Sequence, residues 1–241
     1  MATNDRADFR QVQLTRKQGA KIRADSAGAF DHPLYAVNWL NLKRPARYRW
    51  YTRLAFSHLV KVGAKVFFKG YVAERLRGDE KYDREMLLLV CYPGPESFLK
   101  LISNRWFQVK SVLRVSAISR FVFGFVQKQK GIGKVLARPE AYSGGQHYMV
   151  HIFQAEQPDY THLLFQKDQA AVRLYFLGAR SASIARVVKG KEMYAPFFVN
   201  GISIWQAATE EALRAFAEST DFKAFCGQNR ENNVYLVKRT I

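Results

Sequence analysis

His151 is the residue whose type and setting most suggest chemistry. It sits in the apolar stretch Tyr148–Phe153, on the face it shares with Met149 and Phe153. A polar side chain among apolar neighbours must find hydrogen-bond partners or line a cavity. Imidazole titrates near neutrality, so His151 is a candidate general base for proton abstraction. The plain structural alternative is a core histidine tied to a backbone carbonyl. Asn38, between Ala36 and Leu40, occupies the matching place in the first half of the chain. His58 is the second catalytic candidate, because it lies near the apolar stripe of a helix that carries Tyr51 and Leu54. Otherwise it is a residue of the helix border. Tyr35, Asn38 and Trp39 are candidate ligand-binding neighbours. His32, His147 and His162 lie in other settings, and no pair of histidines shows H-x-x-x-H spacing together with a carboxylate ligand, so no metal site is expected.

Arginines form the second group. Arg114 and Arg230 each follow an amphipathic helix and an aromatic residue, and each either binds an anionic ligand or caps the last carbonyls of its helix. Glu74 reads as an ion-pair partner at a sheet edge. The stretch from Lys43 to Arg53 interleaves Lys43, Arg47, Arg49 and Arg53 with Tyr48 and Trp50. Such a face meets phosphates and stacks bases, sits on anionic lipid headgroups, or is simply a solvated helix face. No nucleophile elbow, P-loop or dinucleotide fingerprint is present. Gly131-Ile132-Gly133-Lys134 lacks the full phosphate-loop spacing.

These residues need elements to position them. The chain has 241 residues, 48% hydrophobic and 14% aromatic, enough for a sizeable core. Its net charge is +18, concentrated in the first half: residues 1–130 hold 25 Lys and Arg against 10 Asp and Glu. That field favours anionic partners without naming one. No apolar run reaches the roughly 18 residues that span a bilayer. The polar first ten residues do not read as a secretory signal. Cys91 and Cys226 read as buried free thiols of a reducing compartment, with the cytoplasm the expected location.

An internal repeat organises the rest. At an offset of 116, Leu89 matches Trp205, Ser103 matches Ser219, Trp106 matches Phe222 and Arg114 matches Arg230. The first half reads as strand Leu34–Leu42, a helix of about 18 residues from Pro45 ended by Gly63, strands Ala64–Leu76 and Met86–Tyr92, an amphipathic helix bearing Phe98, Leu101 and Ile102, and strand Phe121–Gln127. The second half answers with strand Tyr148–Phe153, a helix over about Asp159–Leu177, and strands Ile184–Val188 and Ala195–Val199. A tight turn at Asn200-Gly201, strand Ile202–Gln206, a helix capped by Thr209 and strand Val234–Lys238 follow. Each half is then a β-α-β-β-α-β unit of ferredoxin-like type. The fold class is α+β, two tandem units covering each other's bare sheet faces in one intramolecular barrel. The organisation predicted is a basic arm at 1–30, a first unit at 31–127, a linker at 128–146 and a second unit at 147–241.

Gly70-Tyr71-Val72-Ala73-Glu74-Arg75-Leu76-Arg77-Gly78-Asp79, Leu87–Tyr92 with Pro93, Trp106 and Arg114 resemble the dimeric α/β-barrel superfamily. The likeness is to a branch of small bacterial domains of unknown function, repeated at Glu210–Phe222 with Arg230. The resemblance implies a cofactor-independent monooxygenase, isomerase or cyclase, or a binding protein for a small apolar anionic or phenolic ligand. The superfamily's heme members would want a histidine after the second unit's first helix. Gly178-Ala179-Arg180-Ser181 stands there instead, so no cofactor is expected and heme is disfavoured. The alternative is a non-catalytic protein whose basic first half meets nucleic acid or an anionic membrane.

Overall fold

The computed structural model describes residues 33–128, 147–154, 172–179 and 201–240. The elements in chain order are β1 (Leu34–Leu42), α1 (Pro45–Lys61), β2 (Lys65–Arg77), β3 (Met86–Tyr92), α2 (Pro95–Ser103), α3 (Arg105–Ala117) and β4 (Ile118–Lys128). They continue as β5 (His147–Gln154), β6 (Val172–Ala179), β7 (Gly201–Ala207), α4 (Glu210–Glu218), α5 (Thr220–Gly227) and β8 (Glu231–Arg239). The arm at 1–30, the linker and the strands expected at Ile184–Val188 and Ala195–Val199 lie outside the described residues.

The eight strands close into one antiparallel barrel in the order β1-β3-β2-β8-β5-β7-β6-β4. Within each half the order is the same: β4-β1-β3-β2 and β8-β5-β7-β6. The seams are β2 on β8 and β4 on β6. Side chains alternate across a strand, so each strand feeds two cores. Inside the barrel, Val37, Trp39, Leu87, Leu89 and Val126 from the first half meet Val150, Ile152, Phe176, Ile202, Ile204 and Tyr235 from the second. Outside, each half has its own core under its helices.

Local chemistry explains the element ends. Pro45 and Pro95 open α1 and α2, where a missing N–H costs nothing. Gly63, at φ +70, takes the left-handed turn after α1 that a side chain would strain. Asn104 ends α2 and caps α3 by accepting from the Phe107 N–H, while Ser219 does the same between α4 and α5 for Phe222.

Those shared caps set the two halves against each other at an offset of 115, not 116: Asn104 stands opposite Ser219, and Phe107, not Trp106, opposite Phe222. The strands agree: Leu87 and Leu89 face the barrel interior with Ile202 and Ile204, while Val90 and Trp205 face the helices. An offset of 116 would put Leu89 against Trp205, on opposite faces, because one residue of slip inverts a strand. Arg114 then matches Asn229, not Arg230.

One further expectation fails. The helix expected over Asp159–Leu177 does not include its last residues, because Val172–Ala179 is β6, paired with β7 and β4. β7 lies between β5 and β6.

Ile204 is fully buried where the two halves meet. Ile204→Ala should cost about 2–5 kcal/mol of unfolding free energy, read from urea denaturation. A loss under about 0.5 kcal/mol would show that the shared interior does not hold the halves together.

Candidate functional site

α1 and α3 pack side by side over the outer faces of β1, β3 and β4, and the space beneath them is not filled. A cavity of about 720 Å³ lies there, walled by Tyr48, Tyr51, Tyr92, Leu101, Phe107 and Phe123, with Asn38 and Arg114 among its polar residues. The helix period creates it. Tyr48, Tyr51 and Ala55 form the buried stripe of α1, and Ala55 and Ala64 are too small to occupy the space their neighbours enclose. Volumes of several hundred Å³ with apolar walls and few polar groups are typical of small-molecule sites.

The polar groups share a character. Arg114 comes from the last turn of α3, its guanidinium 5.4 Å above the Phe121 ring, and its Nε is buried without an acceptor. Among the described residues no carboxylate pairs with it. Burial pushes the hydroxyls of Tyr48, Tyr51 and Tyr92 up from the ordinary tyrosine range, while the Arg114 cation pulls each the other way. These phenols stay protonated and can donate. Asn38 donates its amide to the carbonyls of Ala36 and Leu88, both at 3.2 Å. The walls thus offer a cation and several donors, which suit an anionic oxygen, and no group that titrates near neutrality.

Of the residues singled out in the sequence, the cavity brings together Asn38, Arg114 and, at its rim, Arg53. Tyr35 and Trp39 point the other way, into the barrel, where Trp39 donates to the Tyr82 carbonyl. Arg230 stands at the start of β8, its backbone N–H bonded to the Gln154 carbonyl. His58 lies on the flank of α1 toward α3, 2.9 Å from the Lys110 Nζ, and lines no part of the cavity. Partial burial, then Lys110 and Lys61, hold its pKa down. Tyr48, grouped in the sequence with the basic face, is buried. Lys43, Arg47, Arg49, Trp50 and Arg53 are exposed. Glu74 pairs with both terminal nitrogens of Arg214. Cys91 is half-buried and Cys226 buried, and both are free. The sequence reading missed Tyr48, Tyr51 and Tyr92 as wall residues. Their only signal was the i, i+3 spacing of the first two on one helix face.

His151 is sealed at 0% exposure beneath α5, with Phe153, Phe222 and Phe225 around its ring. Asn232 donates to the Cys226 carbonyl at 2.7 Å, so its Oδ1 faces His151 Nε2, at 2.8 Å. Nε2 therefore carries the proton, and Nδ1 is buried without a partner. Burial lowers this pKa from 6.5 to about 3, against the Asn232 hydrogen bond. A neutral imidazole enclosed by phenyl rings reaches no substrate.

No family model matches the chain, and no curated protein matches it. Among solved structures it is similar to an anthrone oxidase-like protein, at 13% identity over 86% of this chain and 92% of that one, with a TM-score of 0.49. A protein of unknown function from Rhodopseudomonas palustris aligns at 18% identity over 48% of this chain and 95% of its own, with a TM-score of 0.42. A mutant chlorite dismutase from Candidatus Nitrospira defluvii aligns at 11% identity over 91% and 95%, with a TM-score of 0.42. At these values the likeness concerns the path of the chain and extends to no activity.

The His151 geometry carries a pH dependence. Between its folded pKa near 3 and its ordinary 6.5, the unfolded chain binds the extra proton. Stability from this residue is therefore complete above pH 6.5 and lost as pH falls toward 3, by about 1.4 kcal/mol per unit in that window. His151→Phe should remove that part of the acid sensitivity, measured as unfolding free energy from pH 7 to pH 4. Equal slopes in both proteins would refute the sealed, neutral histidine.

Proposed function

We propose that the first half binds a small apolar molecule carrying an anionic or phenolic oxygen in the cavity beneath α1 and α3. The observation that carries this reading is Arg114, a cation with a buried, unpartnered Nε at the wall of a largely apolar space of about 720 Å³. A carboxylate or phenolate there would meet the guanidinium, with tyrosine hydroxyls as further donors. The walls stabilise an anion better than they create one, since the two candidate bases, His151 and His58, lie elsewhere. The reading is therefore binding first. Any turnover of the monooxygenase, isomerase or cyclase kind would start from a ligand that ionises by itself.

Heme is not part of the reading. The cavity walls hold no histidine, cysteine or methionine, and burial disfavours tyrosinate at Tyr48, Tyr51 and Tyr92. Gly178 and Ala179 are the last residues of strand β6, so the lack of a histidine there says nothing of an axial ligand. We also read the halves as tandem ferredoxin-like units. The strand order shared by both halves and the paired caps at Asn104 and Ser219 support this. Among the described residues no helix is long and apolar enough to cross a membrane, and a cytoplasmic location is part of the proposal.

Calorimetric titration with naphthoate, beside its uncharged alcohol, tests the site. Arg114→Met should weaken naphthoate by about tenfold or more, the worth of a hydrogen bond to a charged group, and leave the alcohol unchanged. If the unaltered protein binds neither compound, or if both weaken equally in the variant, the anion-binding reading fails.

A further inference from the structure

We propose that the outward face of α1 and α3 docks on an anionic phospholipid membrane surface. The two helices run antiparallel, held by Arg47 donating to Ser116 at 3.1 Å and Lys110 donating to the Leu54 carbonyl at 3.3 Å. Neither helix contains an aspartate or glutamate, while together they carry Arg47, Arg49, Arg53, Lys61, Arg105, Lys110 and Arg114. Among the described residues none of these cations pairs with a carboxylate. The partners of Arg47, Arg53 and Lys110 are a hydroxyl, the Trp50 ring, a carbonyl and an imidazole.

The same face exposes large apolar side chains. Trp50 is 61% exposed, Phe56 59%, Val60 58%, Trp106 70%, Val109 57% and Val112 58%. Exposed hydrophobes concentrated in one patch mark an interaction site. Tryptophans and aliphatic residues among arginines and lysines match the region where headgroups meet acyl chains. Nucleic acid would use the cations and the aromatic rings, but it offers nothing that buries Val60, Val109 and Val112. A second copy of the chain would bring like charges face to face. The membrane satisfies both halves of the surface.

Arg53, Phe56 and Val60 also line the cavity, so the docking face and the cavity rim share residues. On the reading given above, an apolar ligand would then enter directly from the bilayer. The docking itself does not rest on that reading.

Vesicle flotation with the full chain tests it, using phosphatidylcholine alone or mixed with phosphatidylglycerol. The protein should float with the mixed vesicles and not with the neutral ones. Raising salt from about 0.1 M to 1 M, which shortens the Debye length from about 10 to about 3 Å, should release part of it. Paired replacement of Arg49 and Lys61 by Gln should weaken binding by about 25-fold, about fivefold per charge. Trp50→Ser with Trp106→Ser should weaken it as well, and both pairs are exposed, so circular dichroism should be unchanged. Any of three results would overturn the proposal: no flotation with mixed vesicles, flotation indifferent to both variant pairs, or preferential capture of a duplex oligonucleotide or an acidic protein. Because naphthoate binding is measured without vesicles, failure of the docking and failure of the cavity are told apart.

Discussion

Closing eight strands into a single cylinder pairs every sheet edge and turns one face of every strand inward. An open sheet would leave unpaired N–H and C=O groups on its outer strands, a template for association with other chains. Here β2 meets β8 and β4 meets β6, so each half supplies both edges that the other needs. The inward faces then have one solution, which is to fill the interior with large apolar side chains from both halves. Trp39, Phe68, Phe176 and Tyr235 are each at most 1% exposed there. These residues pack the interior, and the cavity under α1 and α3 lies on the outer face, between sheet and helices.

The two outer faces share a plan and differ in how it is filled. Strand pairing sets Asn38 against His151, and the helix caps set Ser111 against Cys226 and Arg114 against Asn229. Both halves therefore place polar groups at the same depth under the second helix pair. In the second half they bond to one another, His151 Nε2 with the Asn232 oxygen and the Asn229 amide with Asn232 and the Phe225 carbonyl. Phe153, Trp205, Phe216 and Phe222 pack around them. The first half has Leu40, Val90, Leu101 and Phe107 at those places. Three of the four are smaller than their counterparts, a hollow lies among them, and the Arg114 Nε remains without an acceptor beside it.

The strands of the first half were legible because each is a run of β-branched and aromatic residues bounded by Gly, Pro or a capped helix. β1, α1, β2 and β3 fall within a residue of where the periodicity puts them. β6 differs from the expected helix end because Leu174–Leu177 is a continuous apolar and aromatic run, and such a run does not distinguish a buried strand from the end of a helix. The offset slipped for the same reason. When Leu87, Leu88 and Leu89 are all apolar, nothing in their chemistry says which one faces inward, and only pairing decides. At the site, Asn38 and Arg114 were visible as polar residues in apolar settings. The hollow was not, since a void depends on what several distant elements fail to bring to one place. His151 looked reactive by type, but burial and the Asn232 oxygen decide its state, and neither can be read from its neighbours in the chain.

One difference in length between the halves explains why the cation belongs to the first. α3 runs for 13 residues and α5 for 8, although both start from equivalent caps. In α5 the helix is over by Gly227, so Asn229 turns back onto its own end and onto β8. In α3 the helix continues through Ala117, carrying Arg114 over Phe121 and Ser116 to Arg47 of α1. The longer helix thus does two things at once. It holds a charged group where the short one holds an amide that donates to its own helix end, and it adds the turn that follows Val112. The cation of the hollow, Arg114, and the Ser116 contact that ties α3 to Arg47 of α1 have a common origin in that added length.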